Sequence, residues 1–193
     1  MACGQLLNPD GSRQNSIAAF PTLLTLMANT SLLEYIFPRR FPSKRYSHSG
    51  VLEVDSGIGA CLIVRREAID AVGMFDERYY FFFEETDWAF RMHRAGWKVL
   101  HVPAALIHHL QGQSIGRNIR SRIEFYRSRY QFFRKWRPFP YYMAVRVVIL
   151  LRLLVNWFLT LLGVSLTLGL YRRLRDKGAV YGHLLVWHIR GCP

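Results

Sequence analysis

The chain has 193 residues, of which 51% are apolar and 15% aromatic, and it carries 26 Lys and Arg against 13 Asp and Glu. This composition excludes a disordered or low-complexity chain and fits one domain with a hydrophobic core. The charge is uneven, because residues 1–115 carry 11 basic and 11 acidic groups whereas residues 116–193 carry 15 and 2. Such a basic end is typical of proteins that bind nucleic acid, a membrane surface or an acidic ligand, and charge alone does not choose among them.

The first elements are predicted from apolar runs and turn residues. Residues 20–36 predict a helix entered at Pro21, and the basic segment 37–50 predicts a loop. Two extended segments follow at 51–54 and 60–65, joined by a Gly-rich turn. The continuous apolar run of the second segment predicts a buried strand.

Helices are predicted at 66–72 and at 85–95, the second closed by Gly96. The strand-like runs WKVLHV and AALIHH come next, separated by Pro103. This alternation of strands and helices predicts an α/β domain with a small sheet.

The N-terminus lacks the features of a signal peptide, so none is predicted. The cysteines are odd in number and widely spaced, which predicts neither a disulfide framework nor a zinc site and fits a reducing compartment.

Residues 117–137 predict one amphipathic helix with apolar stripes on opposite sides. One stripe consists of Ile119, Ile123, Tyr126, Tyr130 and Phe133, and the other of Phe125, Phe132 and Trp136. The basic residues between the stripes are Arg120, Arg127 and Arg134 on one edge and Arg122 and Arg129 on the other. We expect one stripe to pack on the α/β domain and the other to meet a bilayer surface; the alternative is a solvated helix packed on one side only.

Leu153 to Tyr171 is a run of 19 uncharged residues. A helix of that length nearly spans a hydrocarbon core of about 30 Å. Basic residues flank both ends of the run, so the asymmetry that would orient a membrane span is weak. The pattern therefore predicts a spanning, interfacial or re-entrant helix, with a buried hairpin helix of a soluble domain as the alternative.

Acidic residues concentrate in one segment, since seven of the 13 lie between Glu67 and Asp87. The densest cluster is Glu84-Glu85-x-Asp87 at the predicted helix start. Carboxylates at a helix N-terminus are kept ionised, so they can accept a proton or face a cation. Ordinary helix capping and an i,i+4 pair between Asp87 and Arg91 explain the same residues. The cluster alone leaves both interpretations open.

The cluster belongs to an ordered string of motifs. The string comprises Gly59-Ala60, Arg65-Arg66-Glu67, VGMFDERYYFFFEETDWAFRMHRAGWKVLHVPAALIHH and Ser114. It resembles the C-terminal half of inverting family 2 glycosyltransferases of the rhamnosyltransferase type, beginning at LLNPDGSRQNS and covering about residues 1–137. The resemblance implies a partial glycosyltransferase-A type fold, with residues 1–115 as the acceptor-side half of the catalytic domain. Residues 116–140 would form a basic amphipathic helix and 141–193 an apolar, membrane-associating region.

The resemblance also implies catalytic roles. Glu85 matches the presumed general base, which removes a proton from the acceptor hydroxyl as it attacks the anomeric carbon; the family usually has Asp there. Glu84 and Asp87 match flanking acidic positions, which we expect to bind the acceptor or to support the base and its helix.

Substrate and metal positions are implied in the same way. Asp55 matches a position near the sugar pocket, and Gly59 of the G-A motif is predicted to bind substrate as well. The aromatic ring of Trp97 either stacks on a sugar or packs in the core. His108 matches a histidine that helps to hold the divalent metal or the donor diphosphate. Mg²⁺ or Mn²⁺ is the cofactor expected for the full-length enzyme.

One part of the family pattern is missing, because the chain contains no D-x-D, the metal-binding motif of the nucleotide-binding half. We therefore expect the C-terminal portion of a transferase, starting at an internal Met1 and inactive alone. Its partners would be a nucleotide-sugar donor, a lipid-linked or polysaccharide acceptor and the cytoplasmic face of the inner or plasma membrane, without nucleic acid. The alternative is a non-catalytic membrane-associated module. A glycoside hydrolase fits poorly, because its two carboxylates flank the scissile bond about 5–9.5 Å apart.

Overall fold

The computed structural model of the chain describes residues 1–44, 46, 48–110 and 118–192. The chain forms two compact units, Met1–Ile115 and Gly116–Pro193. The first unit is mixed α/β, as predicted, and the elements described in the second unit are helices. Ser114, the last residue of the motif string, lies outside the described residues.

The elements are numbered in chain order. The strands are β1 (Ala2–Leu7), β2 (Ile17–Ala18), β3 (Leu52–Glu53), β4 (Ser56–Gly57), β5 (Leu62–Ile63) and β6 (Leu100–His108). The helices are α1 (Leu23–Met27), α2 (Thr30–Ile36), α3 (Arg66–Val72), α4 (Glu84–Arg94), α5 (Ile119–Trp136), α6 (Phe139–Leu166) and α7 (Arg172–Ile189).

The main sheet has the strand order β3-β6-β1-β5, and β2 pairs with β4 in a second sheet. β1 and β6 run parallel at its centre, while β3 and β5 pair antiparallel at its edges. The sequence did not predict β1, because Gly4 and Gln5 interrupt its apolar pattern. The prediction of a buried strand at 60–65 is wrong. The strand found there, β5, lies at an edge of the sheet, and Ile63 is 74% exposed.

β6 is one strand where two were predicted. Gly4 pairs with Val102 and the next residue, Gln5, pairs with Leu106, so the register shifts at this point. Pro103 has no amide hydrogen to donate to the ladder, and prolines within sheets are confined to edges, strand starts and bulges. Pro103 therefore marks a bulge within β6 and does not separate two strands.

The single helix predicted at 20–36 is wrong, because the segment forms α1 and α2. Asn29 lies between them, and its side-chain oxygen accepts a hydrogen bond from the Ser31 amide at 3.0 Å. An asparagine that caps a helix in this way starts a new helix and interrupts the preceding one. The predicted helices at 66–72 and 85–95 agree with α3 and α4 to within one residue at each end.

The core of the first unit lies where α3 and α4 cover the sheet. Its buried residues include Cys3, Val54, Trp88, Met92 and Val99. β4 approaches β1 closely, because a Cβ atom on Gly57 would lie 2.6 Å from Cys3 Cβ. This close approach fixes the position of residues 58 and 59, which follow β4 and lie near the start of α4.

In the second unit, α6 and α7 form a hairpin. α6 begins well before the predicted apolar run and ends five residues before Tyr171, where Leu168 and Gly169 have positive φ. Glycines of α7 lie against α6: a Cβ on Gly178 would lie 3.6 Å from Thr160 Cγ2, and one on Gly182 would lie 3.5 Å from Trp157 Nε1. Small residues of this kind let two helices pack closely.

α5 lies within the predicted helix 117–137, but its two stripes do not behave as expected. Tyr130 and Phe133 of the first stripe are buried, and Phe132 of the second stripe is also fully buried. Tyr130 Oη lies 2.5 Å from His188 Nε2 of α7, and its ring stacks on Trp187. Each stripe thus contains a fully buried phenylalanine, Phe133 in the first and Phe132 in the second, so neither stripe can meet a bilayer along its whole length.

α6 carries the apolar surface of this unit. It is 28 residues long, has a mean hydropathy of 2.3 over its most apolar window, and only 17% of that window is buried. By length and composition it can cross a membrane, and among the described residues it is the one helix that meets both criteria.

Candidate active site

The acidic cluster lies at the N-terminus of α4. Phe82 and Phe83, just before the helix, have φ values of 66° and 69°. A left-handed backbone costs a non-glycine residue roughly 1–2 kcal/mol. Such strain persists only where the surrounding structure enforces it, and it is found preferentially at functional sites. The two residues turn the chain so that Glu84 and Glu85 form the first turn of α4.

Glu84 and Glu85 form a half-buried carboxylate pair. The Oε2 atom of each is buried and has no hydrogen-bond partner among the described residues. Burial, followed by the neighbouring charge of Glu84, raises the pKa of Glu85 to about 7. Burial likewise raises the pKa of Glu84. A carboxyl group that titrates near neutrality is suited to accept a proton in a reaction at that pH.

Gly59 lies against this pair. A Cβ on Gly59 would be 3.6 Å from Glu85 Cβ and 3.9 Å from Glu85 Cδ. The other end of the segment 54–59 contacts the far end of α4, where the carbonyl oxygens of Val54 and Asp55 each lie 3.1 Å from His93 Nε2. Residues 54–59 therefore run antiparallel to α4. The structure therefore brings Gly59 and Glu85 together, and the glycine leaves space beside the carboxylate.

Asp55 lies away from the pair. Its backbone contacts His93, which is about two turns, or about 12 Å, further along α4 than Glu85. Its carboxylate accepts a hydrogen bond from the Phe20 amide at 2.9 Å and one from Arg40 at 3.3 Å. These contacts attach the segment before α1 and the loop after α2 to the sheet, so the geometry indicates a structural role for Asp55.

Asp87 is fully buried and forms an ion pair with Arg91, Oδ2 to Nε 3.0 Å. It also accepts a hydrogen bond from the Tyr79 hydroxyl at 3.2 Å. The Arg91 guanidinium donates in addition to the carbonyl oxygens of Val72 and Met74, the latter at 2.6 Å. Of the two roles predicted for Asp87, this geometry favours support of the base and its helix.

Trp97 lies at the opposite end of α4 from Glu85. Its amide donates to the carbonyl oxygen of Met92 at 2.9 Å, and its side chain packs against the core. The structure does not bring Trp97 to the carboxylate pair, and core packing was the other use predicted for it.

His108 is the last residue of β6 and is exposed, with Nδ1 3.3 Å from the carbonyl oxygen of Asn8. Within the ranges that the structure describes, no group of three or more His, Cys, Asp and Glu side chains could hold a metal ion. This part of the chain therefore does not supply a complete ligand set for Mg²⁺ or Mn²⁺, and the role of His108 as a single ligand stays a prediction.

A second polar cluster, around His48 and His101, was not predicted from the sequence. Nδ1 of His101 lies 3.1 Å from Nε2 of His48, although the two residues are 53 positions apart. No local spacing could reveal this pair, because only the pairing of β6 with β3 brings the two histidines together.

Comparison with known proteins agrees with the motif string. No family model and no solved structure matches the chain. The chain is 34% identical over 122 residues to N-acetylglucosaminyl-diphospho-decaprenol L-rhamnosyltransferase of Mycobacterium tuberculosis, in the strains CDC 1551 / Oshkosh and ATCC 25618 / H37Rv. The chain resembles part of a rhamnosyltransferase. The match covers 61% of this chain and 39% of the rhamnosyltransferase, which confirms the predicted resemblance to rhamnosyltransferase-like glycosyltransferases.

Replacing Asp87 tests its supporting role. Asp87→Asn leaves Arg91 without its counter-charge in a buried place, so we expect a loss of about 3 kcal/mol in the free energy of unfolding. Asp70→Asn is the matched control, because Asp70 pairs with Arg66 at the same i,i+4 spacing on the exposed face of α3. It should cost less than about 0.5 kcal/mol. Urea denaturation measures both, and equal losses would contradict the structural role.

The raised pKa of Glu85 predicts a pH dependence of stability. Between the pKa of an unfolded glutamate, about 4.3, and the folded value near 7, the folded state binds more protons than the unfolded state. Stability should therefore fall as the pH rises from 5 to about 7. Glu85→Gln should flatten this dependence, whereas Glu67→Gln, at an exposed position of α3, should leave it unchanged. Urea midpoints measured between these pH values test the prediction, which an unchanged slope in Glu85→Gln would refute.

Proposed function

We propose that the chain is the acceptor-side portion of a glycosyltransferase that moves a sugar from a nucleotide-sugar donor to a lipid-linked acceptor, with inversion at the anomeric carbon. The observation that carries the proposal is the Glu85 carboxylate, half-buried beside Gly59 and with an unpartnered oxygen among the described residues, in a chain similar to a rhamnosyltransferase. That relative is named for a decaprenol-linked acceptor, which favours a lipid-linked acceptor here.

Glu85 acts as the general base in this mechanism. The acceptor hydroxyl oxygen attacks the anomeric carbon opposite the leaving group, and its proton passes to the Glu85 carboxylate. The bond between the anomeric carbon and the donor phosphate oxygen breaks, and the nucleoside diphosphate leaves with the electron pair. Glu84 raises the proton affinity of Glu85 through its charge. Gly59 leaves the space that the acceptor hydroxyl needs beside the base.

A divalent metal would neutralise charge on the leaving diphosphate. The described residues do not provide a ligand group for it, so the steps assigned to this chain involve Glu84, Glu85 and Gly59 alone. The chain spans 39% of the rhamnosyltransferase, so the complete reaction needs a donor-binding part with its own metal ligands. We expect residues 1–193 to be inactive without such a part.

Transfer assays with Glu85→Gln test the general base. The chain is assayed alone and after it replaces the matched part of the rhamnosyltransferase in one fused protein. We expect no turnover by the chain alone and transfer by the fusion. A general base typically accelerates a reaction about 10²–10⁴-fold. Glu85→Gln should therefore lower kcat of the fusion at least about 100-fold.

Glu67→Gln is the control, since this glutamate lies in the first turn of α3, and its kcat should stay unchanged. Full activity of Glu85→Gln would eliminate Glu85 as the base. Metal-dependent transfer by the chain alone would overturn the expected inactivity of residues 1–193.

We further propose that the second unit attaches the protein to the cytoplasmic face of the inner or plasma membrane. α6 exposes a series of large apolar side chains, and α7 begins with a basic run. The exposed side chains include Leu151, Val155, Phe158, Leu159 and Leu162, and the basic run is Arg172, Arg173, Arg175 and Lys177. Apolar insertion with basic residues at the headgroups is the pattern of proteins bound to anionic lipid. The same surface suits the alternative, a non-catalytic membrane module, which would not bind a nucleoside diphosphate.

A charge on α6 should weaken membrane binding. Phe158→Asp places a carboxylate on the exposed apolar face, where burial in lipid costs about 3 kcal/mol, so we expect at least about tenfold weaker binding to anionic liposomes. Phe37→Asp is the matched control, because Phe37 is exposed to a similar degree, 55% against 65%, but lies in the first unit. Flotation measures both variants, and equal losses would contradict attachment through α6.

A further inference from the structure

The exposed apolar side chains of α6 form one stripe along the helix. Six of them are each at least 47% exposed, and at 100° per residue they fall within a sector of about 100°. They are Val147, Leu151, Val155, Phe158, Leu162 and Leu166. The charged residues of α6, Arg146 and Arg152, lie outside this sector. One side of α6 is therefore apolar over a length of about 29 Å.

α7 packs against the other side of α6. A Cβ atom on Gly163 would lie 3.4 Å from Leu174 Cδ1, and one on Gly178 would lie 3.6 Å from Thr160 Cγ2. At 100° per residue, Gly163 and Thr160 lie about 110° and about 170° from the middle of the stripe. A flat surface that contacts the stripe therefore lies on the far side of α6 from α7.

The same contacts fix the position of α7 along α6. Leu174 lies beside Gly163 and Gly178 lies beside Thr160, so this part of α7 is level with the middle of the uncharged run Leu153 to Tyr171. The first turns of α7 are charged and exposed. Their exposed charged side chains are Arg172, Arg173, Arg175, Asp176 and Lys177.

A crossing of the bilayer by α6 would carry these charges into lipid. If the uncharged run spanned the hydrocarbon core, the exposed charged turns of α7 would lie near its centre, where ionised side chains are strongly disfavoured. Both ends of the run also have basic flanks, Arg146 and Arg152 before it and the start of α7 after it. Basic flanks remain on the cytoplasmic side, so two of them disfavour a crossing.

We propose that α6 lies in the plane of the membrane interface, with the stripe toward the acyl chains of an anionic bilayer and α7 on the aqueous side. A helix bound in this way buries its apolar face about 5–10 Å into the boundary between headgroups and acyl chains. The long side chain of Arg152, beside the stripe, extends its guanidinium to the headgroups. The 15 basic against 2 acidic residues of 116–193 complement the negative lipid surface. This orientation rests on the proposed attachment of the second unit to the membrane, and in it neither end of α6 crosses the bilayer.

Labelling of single cysteines in the full chain tests this orientation. The probes are Ala179→Cys on the exposed face of α7, Phe158→Cys in the stripe and Arg66→Cys, an exposed position of α3 that serves as the control. All three proteins also carry Cys61→Ser and Cys192→Ser, and the third native cysteine is buried. Each protein is reconstituted by detergent removal into vesicles of phosphatidylcholine and phosphatidylglycerol, isolated by flotation and treated with a membrane-impermeant maleimide.

The measured quantity is the labelling rate on vesicles divided by the rate of the same protein unfolded in urea, which removes differences in thiol reactivity. Protein on the inner leaflet is protected at every position, and the control measures its share. We expect Ala179→Cys to be labelled like Arg66→Cys, and Phe158→Cys to react at least about tenfold more slowly than either. Without vesicles, Phe158→Cys should react as fast as Ala179→Cys.

The contrary results are distinguishable. Protection of both Ala179→Cys and Phe158→Cys on vesicles, with the control labelled, would place the whole hairpin inside the bilayer, which overturns the in-plane orientation and leaves the attachment in place. Fast labelling of Phe158→Cys on vesicles, or no protein on the vesicles, would refute attachment through α6 itself. Slow labelling of Phe158→Cys without vesicles would show that a second copy of the chain covers the stripe in place of lipid, which also overturns the proposal.

Discussion

The buried ion pair of Asp87 and Arg91 positions the candidate site. Arg91 binds the carbonyl oxygens just after α3, and Asp87 binds the Tyr79 hydroxyl in the loop that precedes α4. Both ends of that loop are therefore attached to one helix. The loop finishes in the strained residues Phe82 and Phe83. Removing either charge would leave the other buried without a partner. The pair therefore holds Phe82 and Phe83 in a strained backbone conformation that would otherwise relax.

The segment from Ile58 to Gly59 fixes the surroundings of the candidate base. The Ile58 amide donates a hydrogen bond to the carbonyl oxygen of Ser16, and Gly59 lies against Glu85. The buried position of Glu85 gives it the proton affinity of a base near neutrality. An inverting transfer needs a base for the incoming hydroxyl and stabilisation for the leaving phosphate. Glu85 is a candidate for the first of these two requirements.

Prediction from sequence succeeded where a signal was local. α3, α4 and α5 follow from apolar periodicity and from capping residues such as Gly96, and the motif string located the acidic cluster. β1 and the division of 20–36 were missed because strand pairing and the Asn29 cap outweighed the apolar pattern. The structure separates Asp55 and Trp97 from Glu85, since neighbours within a motif string can lie at opposite ends of a helix. The contact of His48 with His101 depends on strand pairing that no spacing encodes.

The bulge at Pro103 determines which way the end of β6 faces. The side chains of paired residues on neighbouring strands point to the same face of the sheet, and those of successive residues along a strand point to opposite faces. Between Gly4 and Gln5 the partner on β6 moves from Val102 to Leu106, so β6 contains an odd number of extra residues, three. His108, paired with Leu7, consequently lies on the same face as His101, paired with Cys3, whereas an unbroken ladder would put them on opposite faces. An inserted residue that the bulge absorbs would leave His108 paired with Leu7 on this face, whereas a shift of the β1–β6 pairing by one residue would turn His108 to the other face of the sheet.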